Sequence, residues 1–215
     1  MLSTAMKTAR AVFAAGALTV ATAAAAGAQT PTPSGEDFVA MGGRVFVRYL
    51  GSEVIDVSTL SYRVGTFNAA ATDYTALFTN LGPNASPVGQ ELELFGPGNS
   101  PIAAGQTIIF RLFNQTQGLT FYSGAASRNQ DGRLHVGLTP GSGMMSPGGA
   151  PYMQGFNFED RSGTTPPLAD FDYNDLRFEV SNAAVIPEPG TWMLMGTRLL
   201  GLAGAAVRRR KALQA

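Results

Sequence analysis

The chain has 215 residues, of which 14% are charged, with 26 Gly, 13 Pro and no Cys. The lack of Cys excludes disulfides, thiolate metal sites, a cysteine nucleophile and a lipid anchor attached to a Cys after a signal. The formal net charge of zero hides an asymmetry: residues 29–186 hold 14 of the 15 acids against eight bases, all Arg, and a body without a basic face is not that of a nucleic-acid binder.

Lys7 and Arg10 precede an uncharged run, residues 11–26, and Ala26-Gly27-Ala28 then supplies small residues at the positions a signal peptidase reads. That order predicts a secretory signal peptide over residues 1–28, handled by the secretion machinery and cut after Ala28. Residues 29–43 are polar and Pro-containing and read as an N-terminal linker.

Residues 44–186 read as one domain of short strands between turns. Residues 44–50 alternate Val45, Val47 and Tyr49, and 58–64 alternate Leu60, Tyr62 and Val64. In 91–95, Leu92 and Leu94 oppose Glu91 and Glu93. The run 106–113 (QTIIFRLF) is the most apolar and predicts a central strand buried on both faces. Strands are also expected at 119–122, 134–138, 152–158 and 176–180, the last with Leu176, Phe178 and Val180 inward. Gly and Pro punctuate the intervals, no body segment keeps a helical period, and residues 139–151 (TPGSGMMSPGGAP) have the composition of a flexible loop. The fold class is all-β, a single β-sandwich or jelly-roll-like domain. A signal helix before it and a transmembrane helix after it complete the expectation.

The densest chemistry is Phe158-Glu159-Asp160, a Gly/Thr/Pro loop, then Asp170-Phe171-Asp172-Tyr173-Asn174-Asp175. Oxygen side chains at every second position of a loop are suited to converge on one hard cation, so Glu159, Asp160, Asp170, Asp172, Asn174 and Asp175 are the candidate ligands of calcium. The pattern is not that of an EF-hand. The competing reading is structural, with the acids forming Asx turns at strand ends. His135, the sole His, sits in a strand-like run without a nucleophile elbow and reads as structural. With one His and no Cys, a zinc site is not expected.

The same motif resembles the C-terminal signature of domain of unknown function 4114, a bacterial extracellular β-domain family, over about residues 104–182. The resemblance implies surface or matrix association and carries no established activity.

After the body come Pro187-Glu188-Pro189, an apolar run at 191–207, and Arg208-Arg209-Arg210-Lys211. As a helix that run is about 25 Å long, close to a bilayer's hydrocarbon core. Trp192 falls at one interface and the basic tail stays cytoplasmic, so the body faces outward. Arg198 within the run costs about 2.5–3.5 kcal/mol on insertion scales, which suits a transient membrane segment. Residues 187–215 resemble the PEP-CTERM sorting segment of exopolysaccharide-producing bacteria. That resemblance implies recognition of Pro187, Glu188 and Pro189 by an exosortase-type membrane protease, tethering at the inner membrane in transit, and delivery to the cell surface or matrix, where exopolysaccharide is a partner.

The function expected is therefore a non-enzymatic structural or binding protein of the surface or matrix, stabilised by calcium. The alternative is a carbohydrate-binding module or a glycoside hydrolase acting on exopolysaccharide. The module needs exposed aromatics, for which Tyr49, Tyr62, Tyr122 and Tyr152 are the candidates. The hydrolase needs two carboxylates, Glu159 with Asp170 or Asp172, facing an open cleft.

Overall fold

The computed structural model describes residues 30–186. The expected signal peptide with Ala26 and Ala28, and the expected sorting segment with Pro187, Glu188 and Pro189, lie outside the described residues.

The described chain is all-β, in two antiparallel sheets of six strands each. Its strands are β1 (Thr32–Pro33), β2 (Asp37–Ala40), β3 (Val45–Gly51), β4 (Ser58–Val64), β5 (Thr75–Thr79), β6 (Glu91–Leu94), β7 (Thr107–Asn114), β8 (Leu119–Tyr122), β9 (Val136–Pro140), β10 (Tyr152–Phe158), β11 (Leu176–Ser181) and β12 (Ala183–Ile186). The first sheet runs β1-β9-β10-β11-β3-β6; the second runs β12-β2-β7-β4-β5, with β8 also on β7. The helices here are two short 3-10 turns, Pro97–Asn99 and Ala126–Arg128, and among the described residues none is long and apolar enough to cross a membrane.

One core joins the inner faces. Val45, Val47 and Tyr49 of β3, Ile108, Phe110 and Leu112 of β7, and Leu176, Phe178 and Val180 of β11 all point into it, as a period of two requires. At its centre Phe156 stacks on Phe178 at 4.9 Å between centroids, and Phe110 meets Phe178 edge-on at 4.8 Å. Each such ring removed from water contributes about 1.5–3 kcal/mol.

Three expectations need correction. The presumed linker supplies β1 and β2: Phe38 and Ala40 are buried and β2 pairs with both β7 and β12. Two inward side chains in four residues were enough once neighbours on both sides completed the ladder. The strand β7 is fully buried on its inner face but only partly on its outer one: Ile109 is covered, but Phe113 is 39% exposed. The Gly-rich segment 139–151 is no free loop. It folds back over the outer face of the first sheet, where Ser142 donates from both N and Oγ to the Glu179 carboxylate, at 2.9 and 3.0 Å. Arg48 pairs with the same carboxylate at 2.6 Å, so the outward-facing Glu179 is buried beneath the segment.

The chain passes between sheets after β11 through one residue, Asn182, at φ 53°. Asn tolerates the left-handed region better than most residues. Its carbonyl accepts from Met41 N at 2.8 Å, and its Nδ2 donates to Arg44 O at 2.9 Å.

Candidate metal centre

The register of β10 against β11 builds the acidic corner. Phe158 pairs with Leu176, so Glu159 and Asp160 leave β10 beside Asp175, which enters β11. Asp175 N donates to Phe158 O at 3.1 Å and Asp160 N donates to Asp175 Oδ2 at 2.7 Å. Between them runs a long connection. Long connections without secondary structure are often functional.

Glu159, Asp160 and Asp175 are 1%, 0% and 6% exposed. Their carboxylates offer oxygens within 4.8 Å of one another, and so do those of Glu159, Asp170 and Asp172. Oxygens on opposite sides of a calcium ion, each about 2.4 Å from it, are about 4.8 Å apart. The five carboxylates among the candidate ligands thus divide into a buried trio and a more exposed one that share Glu159. Asn174 leans on the exposed trio, its Nδ2 donating to Asp172 Oδ2 at 2.6 Å and its backbone carbonyl accepting from Glu53 N at 3.1 Å. Asn174 thus stays against Asp172, two residues along from Asp170. Phe171 and Tyr173 between them are both at φ 56°, a region that costs about 1–2 kcal/mol for such residues.

The sequence did not point to Asp56, Ser58 or Asn114, which come from distant segments. Ser58 Oγ donates to Asp160 Oδ2 at 2.7 Å, and Asn114 Nδ2 donates to Asp160 O at 2.9 Å. Arg161, the cation next in sequence, donates instead to Asp56 Oδ2 at 3.2 Å. Two buried oxygens, Glu159 Oε2 and Asp160 Oδ1, receive no hydrogen bond.

Leaving buried carboxylates in this state raises their proton affinity. Burial, then the charge of Asp175 and a carboxyl–carboxylate hydrogen bond with it, then the charges of Asp170 and Asp160, push Glu159 up to about 9. Burial and the Asp175 charge push Asp160 to about 7 despite the Ser58 hydroxyl. Asp175 is raised by burial against the opposing bond from Asp160 N, and Asp172 by burial and the Asp170 charge. Either protons or a cation must neutralise the corner.

His135 buttresses it. The ring is 1% exposed and stacks on Phe121 at 3.9 Å between centroids. Its Nδ1 faces Glu159 O at 3.0 Å and its Nε2 faces Asp131 Oδ2 at 3.0 Å. Asp131 also accepts from Gly163 N at 2.8 Å. Burial works to raise its carboxyl, but those bonds hold it below the usual range. Both ring nitrogens are engaged, so none is left to activate a serine.

Tyr49, Tyr62, Tyr122 and Tyr152 are all buried. Of the carboxylates expected of a hydrolase, Glu159 is buried, whereas Asp170 and Asp172 are exposed. A groove of about 460 Å³ beside β5 and β6, lined by Tyr62, Arg63, Asp73, Leu77, Leu92 and Glu93, includes none of the corner's acids.

No family model matches the chain, and no curated protein or solved structure matches it significantly.

Proposed function

We propose that this chain is an exported, non-enzymatic structural or binding protein of the cell surface or extracellular matrix, with calcium holding one end of its sandwich-like body. The observation that carries the reading is the buried trio Glu159, Asp160 and Asp175 with two oxygens that no donor reaches. Only a proton or a cation can satisfy such oxygens. The donor set is all oxygen, without imidazole or thiolate, which suits calcium or magnesium. A buried, carboxylate-rich site suits calcium better, because magnesium gives up its waters reluctantly.

The ends of the chain support export and sorting. The expected signal peptide at 1–28 would engage the secretion machinery. The PEP-CTERM-like segment at 187–215 would engage an exosortase-type protease at the inner membrane before release to the surface or matrix, with exopolysaccharide as the surrounding partner.

Thermal unfolding of the protein in millimolar calcium and in excess chelator tests the cation reading. Calcium at a hundred times its dissociation constant adds about 2.7 kcal/mol, or about 5–11 °C for a domain of this size. The rise should vanish in an Asp172→Ala, Asp175→Ala double variant. An unchanged midpoint in the wild type would leave the acids as turn-formers. Cell fractionation tests the sorting reading: replacing Pro187, Glu188 and Pro189 by Ala should hold the chain at the inner membrane, and unaltered surface delivery would count against it.

A further inference from the structure

The geometry points to a two-ion centre in which the Glu159 carboxylate bridges a buried calcium held by Asp160 and Asp175 and an outer calcium held by Asp170 and Asp172. The inference rests on the cation reading above and specifies its stoichiometry.

Three observations lead there. The carboxylates form two trios of suitable span, and Glu159 is the residue common to both. A carboxylate has two oxygens and can bridge a pair of ions; ions of such pairs lie about 3.5–4 Å apart. The second observation is independent of the clustering. Glu159 Oε2 and Asp160 Oδ1 are buried and receive no hydrogen bond, although their residues are 1% and 0% exposed. Buried oxygens of this kind nearly always have a partner; both belong to the buried trio, and the one on Glu159 is also on the residue shared with the outer trio.

The third is charge. Five carboxylates meet in the corner, while the neighbouring guanidinium of Arg161 is committed to Asp56. One divalent ion would leave three of the five negative charges uncompensated; two nearly balance them. The division by exposure assigns different roles. The inner ion, enclosed by protein, would exchange slowly and take few waters. The outer ion, on the exposed Asp170 and Asp172, would keep waters and exchange freely.

The test is calcium stoichiometry, measured on the full chain in mild detergent by equilibrium dialysis and by native mass spectrometry after stripping with chelator. The wild type should bind two calcium ions per chain. An Asp170→Asn, Asp172→Asn variant, altered only at exposed positions, should bind one. Glu159→Gln should weaken both ions at least tenfold, since each loses a ligand. One ion in the wild type would overturn the bridged pair and leave the single-cation reading standing. No ion would overturn both. Two ions retained by the Asp170→Asn, Asp172→Asn variant would overturn the outer assignment.

Discussion

Without a cation, raising the pH should destabilise this protein, and Glu159 is the main cause. Its carboxyl is pushed up to about 9 in the fold, against about 4.3 in an unfolded chain. The folded state therefore holds a proton that the unfolded chain has released over most of that interval. For an acid shifted upward, the contribution to stability is complete below the unfolded value and is lost as the pH climbs through the folded one. One extra bound proton corresponds to a slope of about 1.4 kcal/mol per pH unit. Between pH 6 and pH 8 the loss is on the order of 3 kcal/mol, or a fall of roughly 5–11 °C in the midpoint. Asp160, pushed to about 7, adds to the slope at the lower end. The assay is calorimetry in chelator at several pH values, with Glu159→Gln beside the wild type. The amide cannot titrate, so its slope should be shallower by about 1.4 kcal/mol per unit. In saturating calcium the wild-type fall should disappear, because the ion takes the proton's place. Parallel curves for wild type and Glu159→Gln in chelator would refute the reasoning.

Other perturbations separate the corner from its supports. In Gly137→Ala the new Cβ would lie 2.6 Å from Pro31 Cβ and 3.0 Å from the Tyr173 ring. Overpacking of this kind costs about 1–3 kcal/mol in urea unfolding, and because Tyr173 lies between Asp172 and Asn174, calcium affinity should fall as well. Asp131→Ala removes the acceptor of His135 Nε2, Gly163 N and Arg133 N; leaving buried donors unpaired should cost about 1–3 kcal/mol by the same measurement. Glu179→Gln breaks the buried pairing with Arg48 and weakens the anchorage of Ser142. Limited proteolysis should then cut between Met144 and Gly149 faster than in the wild type, and equal rates would mean that the segment is held by its backbone bonds alone.

Much of the fold was legible because the inward alternation is strong wherever a strand lies in the middle of a sheet. The positions of β4, β8 and β10 were anticipated as observed, and those of β3, β6, β7, β9 and β11 to within two residues. The missed strands β1, β2, β5 and β12 are short or carry little inward apolar surface: in β5 only Phe78 is buried, and β1 is two residues at a sheet edge, one of them Pro. Composition misled at residues 139–151, since Gly and Pro report freedom of the backbone and not the carboxylate of Glu179 waiting opposite. The acidic corner was legible as a cluster. Its division was not, because Asp175 is drawn inward by the β10–β11 register while Asn174 bonds to its neighbour Asp172.

The same register explains why a cation here would act beyond its own loop. Glu159, Asp160 and Asp175 belong to the end of the first sheet, at the exit of β10 and the entry of β11. Ser58 begins β4 and Asn114 ends β7, both in the second sheet, and both donate to Asp160. Asp56 links the two sets through Asn114 and Arg161. This polar network closes one end of the body where the aromatic core stops. Mutual repulsion of its carboxylates pushes on contacts that hold the sheets together, and a cation that removes the repulsion secures both sheets at once. A chain without cysteine has no covalent means of making that closure. The stabilisation should therefore appear as one cooperative shift of the whole unfolding transition, not as ordering of residues 161–174 alone.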